Sequence, residues 1–165
     1  MSGRPPIKKF IILAQLAYLI TGCFSSARTT VKDGPIAFAV IDSGQHSLAD
    51  TAAVFLIDNQ KQWLEIWRFA KGSIEPMPPA PEIDFKRDML VAVFMGKKSS
   101  GGYRVQMTNI EYAKDTLSIS IEYFRRPGGT LLPVVTSPYQ IAKFQRLPGK
   151  TEDYAINTLI DNVNE

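Results

Sequence analysis

The side chains of this sequence best suited to chemistry are a single cysteine, Cys23, and a single histidine, His46. A cysteine–histidine nucleophile pair needs both groups in one site, but Cys23 directly follows an apolar N-terminal segment, whereas His46 lies in a polar stretch typical of a loop. A serine nucleophile would also have to use His46, and no GxSxG turn is present. Zinc would need further His or Cys ligands. The sequence therefore predicts no enzyme activity, no cofactor and no metal, and a hydrolase built around His46 is the remaining catalytic alternative.

The segment before Cys23 has the three zones of a secretory signal. Residues 1–9 carry three basic residues and no acid, Phe10–Ile20 is apolar but for one glutamine, and Thr21 and Gly22 are small. The apolar run has 11 residues, which is too few for a membrane-spanning helix of about 20 residues. Residues 1–22 are therefore predicted to be a cleaved export signal.

The junction from Ile20 to Cys23 resembles the bacterial lipobox, in which an aliphatic residue and two small residues precede a cysteine. In proteins with that motif the thiol receives diacylglycerol, the leader is cut before the cysteine, and the new amine is usually acylated with a fatty acid such as palmitate. Two or more acyl chains hold a protein stably on a membrane. The resemblance implies an extracytoplasmic lipoprotein of the bacterial cell envelope, and Phe24 in place of an aspartate implies the outer membrane in a cell that has one. The alternative is an ordinary signal in which Cys23 is incidental.

The net charge of the sequence comes from that leader. The formal net charge is +3, from 19 basic and 16 acidic residues, and removing the three leader bases leaves equal numbers of each sign. A mature domain without net charge lacks the basic footprint of a nucleic-acid-binding protein. We therefore expect contact with a membrane through the lipid and with an envelope protein such as a protease, and no contact with nucleic acid.

One domain is the most that the remaining length supports. We place it at residues 35–149, between a polar tether at 23–34 and a C-terminal tail at 150–165. The predicted fold class is α+β, a small antiparallel meander with one packed helix.

The helix is predicted within residues 55–70, with Asp58 or Asn59 as its N-cap. An apolar stripe at helical spacing follows the cap: Trp63, Ile66, Trp67 and Ala70. This spacing favours burial of both tryptophans in the core, and an exposed ligand platform is the alternative. Four prolines then exclude a helix from residues 71–82, a segment that Ile74 and Met77 are expected to fix to the core.

Strand patterns dominate the second half of the sequence. Residues 89–95 form a continuous apolar run typical of a central strand. Residues 103–108 and 117–123 alternate between apolar and polar side chains, which predicts two half-buried strands, and residues 138–147 are predicted as the last strand. Residues 154–163 show a weak helical stripe instead.

Two glycine-rich connections carry basic residues and form the predicted partner-binding surface. The first, Gly96–Tyr103, joins the first two strands of the predicted meander, and the second is Arg125–Thr130. Gly101 and Gly102 permit backbone shapes closed to other residues. Loops on a rigid scaffold commonly form binding surfaces, and we expect both loops to share one end of the sheet. The residues assigned to partner binding are Lys97, Lys98, Ser100, Gly101, Gly102, Tyr103, Arg125 and Arg126. The alternative is a pair of solvated turns, with Tyr103 in the core.

The order of motifs in the second half resembles the PrcB family, which is named after a protease-complex subunit. These motifs are Ile83-Asp84-Phe85, the apolar run 89–95, the loop 96–103 with its Gly-Gly-Tyr end, and Thr136–Ile141 with its Pro-Tyr pair. The resemblance covers about residues 59 to 147. The namesake is a lipoprotein that associates with and stabilises a surface protease complex. The resemblance therefore implies a non-enzymatic protein-binding module, and it supplies no catalytic residue.

A looser similarity connects the loops to chagasin-like protease inhibitors, in which a Thr-Gly-Tyr loop and its neighbours plug a cysteine-protease cleft. Residues 100–103 match that loop in part, and the Arg-Pro-Trp loop of those inhibitors becomes Arg126-Pro127-Gly128 here. A lipid-anchored protease inhibitor is therefore the second functional hypothesis.

Overall fold

A computed structural model of the protein describes residues 32–126, 133–149, 151 and 154–164. The predicted signal, Cys23 and residues 127–130 of the second glycine-rich loop lie outside the described residues. Those described form eight strands and one helix: β1 Gly34–Pro35, β2 Phe38–Gly44, β3 Ala53–Ile57, α1 Gln60–Lys71, β4 Asp88–Phe94, β5 Tyr103–Ala113, β6 Thr116–Arg125, β7 Tyr139–Gln145 and β8 Ala155–Asn164. No helix in these ranges is long and apolar enough to cross a membrane.

The strands form two four-stranded sheets, so the prediction of a single antiparallel meander is wrong. The first sheet has the order β1-β5-β6-β8 and the second has the order β2-β7-β4-β3. β6 and β8 run parallel, whereas the other paired strands are antiparallel. β4 and β5 are consecutive in sequence but belong to different sheets, an exception to the tendency of sequential strands to be neighbours. The coarser prediction, a small strand-rich domain with one helix, is confirmed.

The second sheet lies between the first sheet and the helix, and this position explains the composition of β4. Alternate side chains of a strand point to opposite faces. One face of β4 packs against the first sheet through Met89, Val91 and Val93, and the other packs against the helix through Leu90, Ala92 and Phe94. A strand covered on both faces is apolar at every position, so the prediction that residues 89–95 form a central strand is confirmed.

Helix α1 begins where the sequence predicts. The side chain of Asn59 caps it by accepting a hydrogen bond from the Gln62 amide at 3.0 Å, and the Gln62 side chain accepts one from the Asp58 amide at 3.2 Å. The first bond satisfies a backbone donor that the first helical turn leaves without a partner, and the second fixes the residue before the cap. The prediction of a helix capped at this point is confirmed.

Both tryptophans of the helix belong to the core, as the stripe predicts. Trp63 is 0% exposed and Trp67 is 5% exposed. Their indole N–H groups donate to the carbonyls of Pro81 at 2.9 Å and Pro78 at 2.8 Å, so the helix holds the proline-rich segment through hydrogen bonds. The expectation that Ile74 and Met77 fix this segment is wrong, because both side chains are exposed by more than two-fifths.

The C-terminal residues form a strand where the sequence shows a weak helical stripe. β8 pairs in parallel with the whole of β6, from Thr116 opposite Ala155 to Arg125 opposite Asn164. The hydroxyl of the buried Tyr154, just before β8, donates to the Pro148 carbonyl. An isolated helix of about ten residues is only marginally stable in water because nucleation is costly, so pairing with β6 overrides the local pattern.

The two ends of β5 have different neighbours. At its C-terminal end, Tyr112 and Glu111 pair with Gly34 and Pro35 of β1, close to where the described residues begin. Tyr103, the last residue of the first glycine-rich loop, opens the strand at the other end. The N-terminal segment and this loop therefore meet β5 at opposite ends.

The hairpin between β5 and β6 turns at two residues in the left-handed region. Lys114 has φ 48° and Asp115 has φ 60°, the signs of a type I′ turn, whose twist suits a two-residue hairpin. The Tyr112 hydroxyl donates to Asp115 Oδ1 at 2.9 Å. This hydrogen bond and the burial of the phenol raise the pKa of Tyr112 to about 12.

Replacing Asp115 with Asn is expected to bring the pKa of Tyr112 down from about 12 towards the ordinary tyrosine value of about 10. Because the folded state raises this pKa, the neutral phenol contributes stability below about pH 10, and this contribution is lost as the pH rises through about 12. The measurement is a ¹³Cζ-tyrosine NMR titration, with Tyr112→Phe for assignment. Tyr123, whose pKa is raised by burial alone, is the internal control. An unchanged Tyr112 titration in Asp115→Asn would contradict this account.

Candidate functional site

The described parts of the two glycine-rich loops lie side by side at one end of the first sheet. Tyr103, which ends the first loop, pairs with Arg125, which begins the second. The backbone N–H of Arg126 donates to the Gly102 carbonyl at 2.9 Å. The β5–β6 register therefore brings together four of the eight residues assigned to partner binding.

The first loop is fastened to a segment distant in sequence. Lys98 and Thr136 exchange two backbone hydrogen bonds, at 2.8 and 3.0 Å, and the Thr136 hydroxyl donates to the Ser100 carbonyl at 2.8 Å. Thr136 itself is buried. The hydrogen-bonding groups that join the loop to Thr136 are therefore satisfied within the protein. The loop has a defined shape before any other protein binds.

The residues after Thr136 position neighbouring parts of the same end. The Ser137 hydroxyl lies 2.7 Å from that of Ser47 and donates to the Ala49 carbonyl at 2.7 Å, which holds the loop after β2. The Tyr139 hydroxyl donates to Asp42 at 2.8 Å. The Thr-Ser-Pro-Tyr run therefore acts as a scaffold that ties the loops of this end to the second sheet.

The backbone of the first loop requires a glycine at its start. Gly96 has φ +72°, and a Cβ there would lie 2.7 Å from the carbonyl carbon of Thr51. Gly101 lacks a positive φ, and a Cβ there would meet no atom within 4 Å. The sequence pattern suggested the conformational role for Gly101 and Gly102, whereas the described geometry requires a glycine at Gly96.

The basic residues of this end differ in their partners. Lys97 forms an exposed ion pair with Asp50 at 2.6 Å. Lys98 is half-buried, and its Nζ lies 5.8 Å from the centre of the Tyr103 ring, within cation–π range. Arg125 and Arg126 are exposed. Across the described part of the protein, neither Lys98 nor Arg125 has an acidic group within ion-pair distance.

A cleft of about 340 Å³ opens at this end of the sandwich. Its lining residues come from both sheets and from the first loop: Met95, Lys98, Tyr103, Tyr123, Arg125, Asn162 and Val163. Burial raises the pKa of the Tyr123 phenol above its ordinary value of 10, so this ring presents a neutral hydroxyl at physiological pH. The cleft combines an aromatic and apolar wall with two cationic side chains.

An ionic cluster on the helix side of the second sheet was not identified from the sequence. Lys71 Nζ lies 2.9 and 2.8 Å from the two carboxylate oxygens of Asp42, and Tyr139 donates to the same carboxylate. Burial lowers the pKa of Lys71, hydrogen bonds with Asp42 and Tyr139 raise it, and the net pKa lies above 10.5. Lys71 therefore stays protonated and paired, and the cluster provides no free base for catalysis.

The cluster depends on a close approach that only glycine permits. A Cβ on Gly44 would lie 2.7 Å from Cε1 of Tyr139. Asp42 sits at a β-bulge, where the pairing of β2 with β7 skips one residue between Val40 and Asp42. No local pattern links positions 42, 71 and 139, so the sequence carries no signal for this contact.

His46 is exposed, as the sequence predicts for a loop residue. Among residues 32–126, 133–149, 151 and 154–164, no three His, Cys, Asp or Glu side chains lie close enough together to hold a metal ion. The cleft between Lys98 and Arg125 is therefore a candidate binding site and not a candidate metal site or catalytic site.

Residues 89–145, from β4 to β7, match the model of the family described as PrcB C-terminal. No curated protein and no solved structure matches the sequence significantly. The matched segment contains three of the motifs that carry the resemblance, namely the central apolar strand, the first glycine-rich loop and the Pro-Tyr strand, and it begins after Ile83-Asp84-Phe85. The resemblance to the PrcB family is therefore confirmed for residues 89–145 of this protein.

Proposed function

We propose that the protein is a non-enzymatic lipoprotein of the cell envelope that binds other proteins and assembles or stabilises a protease complex. The observation that carries this proposal is the PrcB C-terminal match over residues 89–145, because that family takes its name from a protease-complex subunit. Envelope location rests on the lipobox-like junction at Cys23.

The end of the two packed sheets at which the two glycine-rich loops lie, here called the loop end, supports a binding role. Two loops from neighbouring strands are adjacent there, and the first is held in shape by Thr136. A preordered surface loses little conformational entropy when it binds. The basic side chains at this end favour an acidic partner surface and accelerate encounter with it.

Replacing Lys97, Lys98, Arg125 and Arg126 with Ser is expected to abolish capture of the partner while leaving the fold intact. All four are surface residues, and none lies in the hydrophobic core. The measurement is a native pull-down of the full-length protein from envelope extracts, followed by mass spectrometry and an assay of any captured protease. We expect recovery of the partner to fall about tenfold or more at low salt. The loss should be smaller at high salt, because exposed charges more than about 10 Å apart are already screened at an ionic strength of about 0.1 M.

The matched control replaces four basic residues elsewhere on the surface with Ser: Arg68, Lys86, Arg87 and Lys114. This control variant has the same net charge as the loop variant and should capture the partner as the native protein does. If the loop variant captures as much partner as the control variant and the native protein do, the binding surface lies away from the loops. A captured protease that stays active supports assembly, whereas one that is blocked supports the alternative of a lipid-anchored inhibitor.

A further inference from the structure

We propose that the cleft at the loop end binds a carboxylate carried by an apolar peptide segment, either the C-terminal carboxylate or an acidic side chain of the partner. This inference rests on the proposed function and deepens it, because it names the chemical group that the loop end recognises. Four observations carry it: the facing of the side chains, the partners of the two cations, the amide at the rim, and the apolar wall.

The strand register places the aromatic and cationic side chains on one face. Directly paired residues of an antiparallel pair share a face, as do residues two apart in a strand. Tyr103 pairs with Arg125, and Tyr123 pairs with Val105, a buried residue that packs against the second sheet. Tyr103, Tyr123 and Arg125 therefore face the space between the sheets, where Met95 closes the cleft from the opposite sheet with 4% exposure.

The two cations of the cleft, Lys98 and Arg125, have no carboxylate partner among residues 32–126, 133–149, 151 and 154–164. Lys97, in contrast, is already paired with Asp50. The position of Lys98 Nζ, 5.8 Å from the Tyr103 ring centre, keeps this ammonium at the wall of the cleft. An arginine binds a carboxylate through two parallel hydrogen bonds, and charge-assisted bonds of this kind are the strong ones.

The rim and wall suit a peptide more than a free inorganic anion. Asn162 of β8, which lies opposite Tyr123, adds an amide at the rim. Met95 and the two tyrosine rings supply an apolar surface. A volume of about 340 Å³ lies at the lower limit for ligand pockets of about 300–1,000 Å³, so the cleft accommodates the end of a peptide or one side chain with its neighbour.

The test uses three peptides and the full-length protein purified in detergent. The probes are N-acetyl-leucyl-leucine with a free carboxylate, the same peptide as its C-terminal amide, and N-acetyl-leucyl-glutamyl-leucine amide. The ¹³C-methyl signal of Met95 reports on the cleft itself. We expect the Met95 methyl signal to shift saturably with one or both of the peptides that carry a carboxylate. The affinity for N-acetyl-leucyl-leucine amide, which has no carboxylate, should be at least about tenfold weaker. Because the amide enters micelles more readily than the acid, partition into detergent would produce the opposite order.

Matched variants assign the binding to the cleft. Lys98→Gln and Arg125→Gln should each weaken binding of the carboxylate peptide by about tenfold, whereas Lys61→Gln, an exposed residue of α1, should leave it unchanged. The relative affinity of the first and third peptides distinguishes a C-terminal carboxylate from an acidic side chain.

Equal binding of acid and amide would overturn the proposal, and so would unchanged binding in both cleft variants. A shift of the same size and affinity with inorganic phosphate would also overturn it in favour of a general anion site. Failure of the pull-down with intact peptide binding would reject the protease-complex role and retain the carboxylate site, so the two proposals fail separately.

Discussion

Replacing Trp63 with Ala is expected to lower the free energy of unfolding by about 3–5 kcal/mol. The indole is 0% exposed and lies in the layer between helix α1 and the second sheet, and it packs on Trp67 with ring centres 5.2 Å apart. Its removal leaves a cavity and also deprives the Pro81 carbonyl of its donor. The loss is a large share of the total free energy of unfolding of a small domain, which is about 5–15 kcal/mol.

Thermal and urea unfolding of the full-length protein measure this loss, and two further variants separate its causes. Leu64 lies next to Trp63 on the same helix but is 40% exposed, so Leu64→Ala should change the unfolding free energy by about 0.5 kcal/mol. Trp63→Phe keeps an aromatic ring and loses the N–H donor, so it should cost less than Trp63→Ala. A Trp63→Ala protein as stable as Leu64→Ala would reject the core role of the indole.

The second large effect is expected at the predicted lipid attachment site. Cys23→Ser removes the thiol that is predicted to receive diacylglycerol, so the protein should leave the membrane fraction or accumulate with its leader uncut. Each buried CH₂ group of an acyl chain contributes about 0.8 kcal/mol to membrane binding. No surface contact of a domain without net charge is expected to replace a sum of that size.

Detergent partitioning and intact-mass measurement test this prediction in the expressing cell. The native protein should carry the mass of its lipid and lack residues 1–22. Ser25→Ala, two residues beyond the cysteine, is the control and should be processed and retained as the native protein is. A Cys23→Ser protein that has lost its leader yet stays in the membrane fraction would disprove lipid anchoring through this residue.

Patterns of apolar residues within a short stretch of sequence predicted the helix and the central strand, because the buried positions of each recur at a regular spacing. The stripe from Trp63 to Ala70 identifies α1 because one face of a helix repeats every 3.6 residues, and Asn59 marks its start because an N-cap acts within four residues. The apolar run 89–95 identifies β4 because both of its faces are covered. In each case the residues that determine the element are neighbours in sequence.

Long-range pairings were missed because no local pattern encodes them. The parallel pairing of β8 with β6 joins segments separated by the whole of β7, and the division of β4 and β5 between two sheets depends on β7. The same reason applies at the candidate site. Residues 103 and 125 were both assigned to partner binding, but their pairing, and the fastening of the loop by Thr136, follow only from the register of distant strands.

The N-terminal strand β1 pairs with the end of β5 that lies opposite the loop end, and this position limits the distance between the membrane and the proposed binding surface. Gly34 pairs with Tyr112, nine residues along β5 from Tyr103, which is about 30 Å at the rise of a strand. For a protein anchored at Cys23, the tether of residues 23–33 reaches at most about 40 Å. The loop end of a protein anchored in this way, and a partner bound there, would lie at most about 70 Å from the headgroups. Lengthening the tether would raise this ceiling without altering the binding surface.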